Sequence, residues 1–231
     1  MADFAVILPA AGNSSRFRGF DHKKPFVSLD GLPVWKRTVQ AFARRQDVKQ
    51  ILLILPGSDL AGFTRQFGDG LSGVELISGG VSRSESVLNG LQAVRESCEF
   101  VAVHDVARPL IRSAVIDAVF AATVKTGAAI PGVPVTSTVK RVSEASCVES
   151  TVDRSNLVLA QTPQGFSRGL LLEAFRQVGE KLQEFTDESS IVESLGHPVT
   201  VTDGAWDNIK ITTAADFQLA QRILAGRASS S

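Results

Sequence analysis

The chain has no surplus of charge of either sign: 24 Lys and Arg stand against 24 Asp and Glu in 231 residues. General nucleic-acid binding, which draws its affinity from neutralising many phosphates, is thereby excluded. An anion, if bound, must be held by local geometry. Cysteine is scarce, and Cys98 and Cys147 form no Cys-x-x-Cys or Cys/His cluster. That excludes a disulfide framework and a structural zinc site. No apolar run approaches the ~18 residues of a membrane span. The opening MADFAVILPAAG has no preceding Lys or Arg, and Asp3 stands where a signal peptide wants positive charge. The expected location is the cytoplasm, with neither membrane nor nucleic acid as partner. Repeats and low-complexity blocks are missing, and so are GxGxxG and GK[ST].

What is present is globular. Hydrophobic residues make up 44% and charged residues 21%, too apolar for a disordered chain. The length implies one large domain over 1–231, or one plus a small appendage, able to bury roughly 70% of its unfolded surface. Short apolar runs alternate with helical patterns. Phe4 to Leu8, Ile51 to Leu55, Val74 to Ile77, Phe100 to Val103 and Ala128 to Ile130 read as buried strands ended by Pro, Gly or polar residues. Val34 to Arg44, Ser84 to Val94 (with Ser82 as cap) and Ser113 to Val124 carry apolar residues at helical spacing. The alternation predicts an α/β fold, a mostly parallel twisted sheet with helices on both faces.

The pattern breaks after Val135. Thr138 to Val142 and Val148 to Val152, with Ser143 to Ser146 between, read as a projecting β-hairpin within 136–161. Helices are expected again at Ser167 to Gln177, Asp187 to Leu195 and Thr213 to Leu224. Short strands are expected at Val199 to Thr202 and Ile209 to Thr212. The tail from Arg227 is expected to fray.

Candidate chemistry lies at strand ends, where open parallel sheets bind ligands. The first strand runs into PAAGNSSRF, whose main-chain N–H groups from Ala10 to Ser15 could cradle phosphate, with Arg16 as a phosphate-matching fork. Lys23 and Lys24 follow in the same loop. Read alone, this is equally an ordinary Gly-containing turn with two solvated lysines. His104-Asp105-Val106-Ala107-Arg108-Pro109 ends the Phe100 strand. Asp105 could hold Mg²⁺ with phosphate oxygens, or simply cap a helix beside Arg108. His104 reads as a hydrogen-bonded structural residue. GGVSRSESV offers backbone groups at Gly79-Gly80, then Arg83 and Ser86 on an opening helical turn. Arg154 and Lys210 are candidate anion contacts from the back half.

Taken in order, FAVILPAAGNSSRF, KKPF, GGVSRSESV, VHDVARP, PVTSTVKR, TVDRSNL with QTPQGF, TDESS and DNIKIT resemble the 2-C-methyl-D-erythritol 4-phosphate cytidylyltransferases almost throughout the chain. The resemblance implies cytidylyl transfer from CTP to a small polyol phosphate with Mg²⁺, releasing pyrophosphate in non-mevalonate isoprenoid synthesis. It implies a glycosyltransferase-A-like nucleotidyltransferase fold and a homodimer made through the β-arm. Carried over by motif, Arg16 and Lys24 stabilise charge on the triphosphate. Pro9, Ala10, Ala11 and Gly12 hug the nucleotide. Gly80 and Ser86 read the cytosine edge, with Arg83 supporting that loop. Asp105 and Val106 meet the ribose and the metal-phosphate region. Thr138, Arg154 and Lys210 hold the acceptor phosphate, the first two reaching across from the other subunit, with Arg108 and Asp207 also toward substrate. Lys24 is aligned in preference to Lys23 because Lys24-Pro25-Phe26 matches the family's Lys-x-aromatic step. Val106 replaces a more usual Ala at a position where a backbone contact is implied. A ribitol 5-phosphate cytidylyltransferase and a non-catalytic nucleotide-binding regulator are the rival readings. A dinucleotide-dependent reductase is opposed by the missing GxGxxG.

Overall fold

Residues along Phe4–Pro9 (β1) alternate between two apolar surroundings, which is why the run is apolar without a break. Phe4, Val6 and Leu8 join one buried cluster and Ala5 and Ile7 another. The computed structural model describes residues 2–10 and 27–228. Val48–Leu55 (β4), Glu75–Ser78 (β5) and Phe100–Val103 (β6) extend the sheet in parallel, in the order β6-β1-β4-β5. The sheet's other half is mixed. Gln164–Ser167 (β11) lies between β6 and Ala128–Pro134 (β7), antiparallel to both. Thr200–Asp203 (β12) pairs with β7 in parallel, and Val158–Ala160 (β10) pairs with it antiparallel. The expected α/β sheet, mostly parallel and covered by helices on both faces, is therefore present.

On one face, Val34–Ala43 (α1), Gly57–Phe67 (α2) and Ser113–Thr126 (α4) cover Phe4, Val6, Leu8, Leu53 and Leu55 with Trp35, Phe42, Phe63, Ile116 and Phe120. On the other, Arg83–Gln92 (α3), Arg168–Val178 (α5) and Glu188–Glu193 (α6) bring Val87, Leu91, Leu171, Phe175, Ile191 and Val192 against Ile7, Leu52, Ile54 and Val103. A third cluster, built on Leu29, Val34, Leu110, Ile211 and Phe217, seats Ala214–Ala228 (α7). A small hairpin, Ser28–Leu29 (β2) with Leu32–Pro33 (β3), turns at Asp30 and Gly31. Their φ values of 53° and 73° make it a tight turn of the primed kind, which suits Asp-Gly.

Within the irregular stretch, Val139–Val142 (β8) pairs with Val148–Val152 (β9) in a sheet of their own. Two expectations change. Ile209–Thr212 forms no strand: Ile211 N–H goes to Ala107 O at 2.8 Å, and the amides of Thr212 and Thr213 go to the Asp216 carboxylate, each at 2.8 Å. Those β-branched residues build the entry to α7 rather than a ladder. The chain also does not fray at Arg227, whose guanidinium donates to Leu110 O at 2.9 Å and meets Asp207 at 2.7 Å. Helix α2 was not foreseen: Leu60, Phe63 and Phe67 stand at helical spacing and pack on the core, but Gly57 and Gly62 lower the helical propensity of the segment.

Candidate active site

The parallel strands deliver their C-terminal ends to one rim. There, Asp105, just past β6, is buried and engaged by three cations. Lys210 Nζ stands 2.8 Å from Oδ2, Arg108 Nε 3.5 Å from Oδ2, and Arg83 Nη2 3.5 Å from Oδ1. Burial alone would raise the Asp105 pKa; Arg83, Lys210 and Arg108 outweigh it and hold the carboxyl well below the usual carboxylate range. The group is ionised at neutral pH. Among the residues named from sequence, Arg83, Asp105, Arg108 and Lys210 are thus brought together from GGVSRSESV, HDVARP and DNIKIT.

Arg83 opens α3 and forks onto Glu188, with Nη1 to Oε1 at 2.7 Å and Nη2 to Oε2 at 3.1 Å. Burial would lower its pKa, but Glu188 and then Asp105 raise it above the ordinary arginine value. Glu188 was not singled out from sequence. The available signal was local: Asp187 caps α6 through Ser190 N at 3.1 Å and so turns the next residue inward.

Beneath Asp105 runs a closed ring of hydrogen bonds. The His104 Nε2–H donates to Arg108 O at 3.1 Å, and Arg108 Nη1 donates to Asn208 O at 2.7 Å. Asn208 Nδ2 donates to Thr162 O at 2.9 Å, and the Thr162 hydroxyl donates to His104 Nδ1 at 3.0 Å. A carbonyl only accepts, so the proton of a neutral His104 sits on Nε2. The Asp105 amide also donates to the Thr162 oxygen, at 3.1 Å. Burial, the largest effect, lowers the His104 pKa to about 4. His104 is the hydrogen-bonded structural residue expected from sequence. Thr162 and Asn208 were missed, because nothing in their local patterns shows that they meet.

The GG loop is held tightly. Gly80 N–H donates to Ser86 Oγ at 3.1 Å, and the Ser86 hydroxyl donates to Ser82 O at 2.8 Å. Ser82 caps α3 as expected, accepting from Glu85 N at 3.1 Å. A Cβ on Gly80 would fall 2.5 Å from Glu85 Cβ, so only glycine fits. Val106 buries its side chain, and its carbonyl accepts from the Thr38 hydroxyl at 2.8 Å.

The remaining residues are placed otherwise. Pro9 ends β1, and the Ala10 amide donates to Ile54 O at 2.8 Å, which removes Ala10 from the main-chain donors expected for the phosphate cradle. Ala11, Gly12, Arg16, Lys23 and Lys24 lie outside the described residues. The Asp207 carboxylate is held by Arg112 and Arg227. Thr138 is exposed, and Arg154 donates to Thr136 O. Neither is joined to the Asp105 group by a hydrogen bond or ion pair among the described residues.

A family model described as 2-C-methyl-D-erythritol 4-phosphate cytidylyltransferase matches residues 4–226. A protein of that name from Solibacter usitatus is 40% identical over 240 residues, covering 98% of this chain and 98% of its own. A bifunctional enzyme from Desulfotalea psychrophila is 37% identical and covers 97% of this chain, which spans only 57% of that longer protein. The crystal structure of the Thermus thermophilus cytidylyltransferase superposes with a TM-score of 0.78 at 31% identity, over 96% of this chain and 98% of that one. A match this continuous leaves a single assignment: the chain belongs to the 2-C-methyl-D-erythritol 4-phosphate cytidylyltransferase family.

Proposed function

We propose that the chain transfers CMP from CTP to 2-C-methyl-D-erythritol 4-phosphate, giving 4-diphosphocytidyl-2-C-methyl-D-erythritol and pyrophosphate, and that it works in the cytoplasm as a homodimer. The observation that carries the reading is the convergence on Asp105 of Arg83, Arg108 and Lys210, from three motifs of the family, at the rim where α/β sheets take ligands. No helix among the described residues is long and apolar enough to cross a membrane.

The acceptor's phosphate oxygen is already anionic, so it needs no general base. It attacks the α-phosphorus of CTP in line. The bond from that phosphorus to the bridging oxygen breaks, and the electron pair leaves with pyrophosphate. The barrier is then mostly misorientation and charge repulsion. Positioning is worth roughly 7–11 kcal/mol, and each fixed cation aimed at the developing charge about 3 kcal/mol. That is why the site is built of Arg, Lys, Gly and Asp without a nucleophilic triad. In this reading Arg16 and Lys24 meet the triphosphate, Pro9 to Gly12 line it, and Gly80 and Ser86 discriminate cytosine. Lys210 serves the acceptor, with Asp207 from the same motif and Arg108 from HDVARP also toward substrate. Thr138 and Arg154 complete that pocket from the partner subunit. Exposed Val142, Val148, Leu157, Val158 and Leu159, spread over 136–161, support dimerisation through this stretch.

Mg²⁺ fits one protein ligand. Asp105 is an ionised hard oxygen donor, and no cluster of three His, Cys, Asp or Glu occurs among the described residues. Asp105 would hold the ion together with phosphate oxygens, the usual arrangement for this metal, and the ion would neutralise phosphate charge. Lys210 must then yield part of its hold on Oδ2.

The test is pyrophosphate release across four nucleoside triphosphates and two acceptors, the methylerythritol and ribitol phosphates. Release with CTP and the methylerythritol phosphate is expected, with UTP poorly used because a polar pocket built for one base rejects another strongly. Preference for the ribitol phosphate would reassign the acceptor. Absence of release with any pair would refute the enzyme.

A further inference from the structure

Among the described residues only two carboxylates are buried, Asp105 and Glu188, and one guanidinium joins them. Glu188 belongs to no contact with substrate in the reaction above. Its carboxylate takes both terminal nitrogens of Arg83, at 2.7 and 3.1 Å, whereas Asp105 takes one, at 3.5 Å. Glu188 therefore dictates where Arg83 sits, and Asp105 receives what remains. Glu188 itself is fixed from both sides. Gln164 donates to the Asp187 carboxylate at 2.7 Å and accepts from Ser189 N at 2.9 Å, tying the residues before and after Glu188 to β11. Arg83 must come to the acid, not the reverse. A buried ion pair is weak evidence for stability, since apolar replacements often fold as well. Retaining one beside a ligand rim points to geometry.

We propose that Glu188 is a positioning residue: by fixing Arg83 it sets the Asp105 carboxylate in the arrangement that accepts CTP, and it touches no substrate. The inference rests on the proposed CTP site. It predicts that Glu188→Gln, which turns an amide N–H₂ toward a guanidinium nitrogen, releases Arg83 from its place and lets it close onto Asp105. Calorimetric titration of the full chain with Mg²⁺-CTP should show binding weakened about 10- to 100-fold, the usual loss when a residue that orients a ligand-binding group is removed. The KM for the acceptor should move by less than about twofold. Glu188→Asp keeps the charge and the fold but draws Arg83 back, and should weaken CTP several-fold. In an Arg83→Gln background, Glu188→Gln should add no further loss.

CTP binding unchanged in folded Glu188→Gln or Glu188→Asp would overturn the proposal. So would losses that add to those of Arg83→Gln, or a parallel loss for both substrates that tracks a fall in melting temperature. A wild-type chain that binds no CTP would instead remove the site reading on which it stands.

Discussion

Acidification reads the ring under Asp105 through His104. In the folded chain His104 is neutral with a pKa of about 4, against 6.5 when unfolded, chiefly because burial disfavours the imidazolium. Between those values the unfolded chain binds a proton that the folded chain refuses, so stability rises with pH. This contribution is complete above about pH 6.5 and lost as pH falls toward 4. The full span is worth about 3 kcal/mol, and the step from pH 7 to pH 5 about 2 kcal/mol. At a denaturant slope near 2 kcal/mol per molar, urea midpoints should fall by about 1 M. Asp105, Asp207 and Asp216 have lowered pKa values and lose their contributions only below the ordinary carboxylate range, outside this window. Glu188, pushed up by burial, acts in the opposite sense. The comparison is therefore between wild type and His104→Gln, whose amide can donate to Arg108 O. The variant should lack about 2 kcal/mol of the pH 7 to pH 5 difference. Equal pH dependence in the two proteins would refute the neutral, buried assignment and the ring built on it.

Gly165→Ala places a Cβ 2.2 Å from Thr123 Oγ1 and 3.2 Å from Val119 Cγ1, so α4 must shift from β11. Chemical unfolding should show a loss of about 1–3 kcal/mol, partly recovered with Thr123→Ala. Gly80→Ala meets Glu85 Cβ at 2.5 Å and disturbs the Gly80–Ser86 bond; steady-state kinetics should show a raised KM for CTP with the acceptor KM nearly unchanged. Arg16→Ala should lower kcat about 100- to 1000-fold, about 3 kcal/mol, at unchanged melting temperature. Wild-type kcat at saturating CTP would remove Arg16 from the mechanism, and the same measurement on Lys23→Ala and Lys24→Ala separates the two lysines.

Most of the sheet was legible because strands buried on both faces must be apolar throughout, as Phe4 to Leu8 and Ile51 to Leu55 are. Ile209 to Thr212 misled by the same rule: β-branched residues also line a capped turn, and only Asp216 downstream distinguishes the two. At the site, Asp105 and its motif neighbour Arg108 could be read as a pair because they lie three residues apart. Glu188 could not, since its partner Arg83 is 105 residues away in sequence. Short polar patterns show what a residue can do; which distant groups it meets depends on strand order, and the interposed β11 was not foreseen.

That interposed strand has a consequence for the rim. Gln164 sits opposite Val103 and Ser167 opposite Phe100, so the chain travels back along β6 against its direction. Connections leaving ordinary parallel strands depart from the ligand edge toward the outer helices. Here a connection arrives at that edge instead, bringing Gln161 and Thr162 with it, and those two residues reach Ala205, Asn208 and His104. The incoming segment thus acts as a crossbar between two outgoing ones. Lengthening the chain just before Gln164 should therefore register at the nucleotide side, far from the surface where insertions between β-strands and helices usually pass unnoticed.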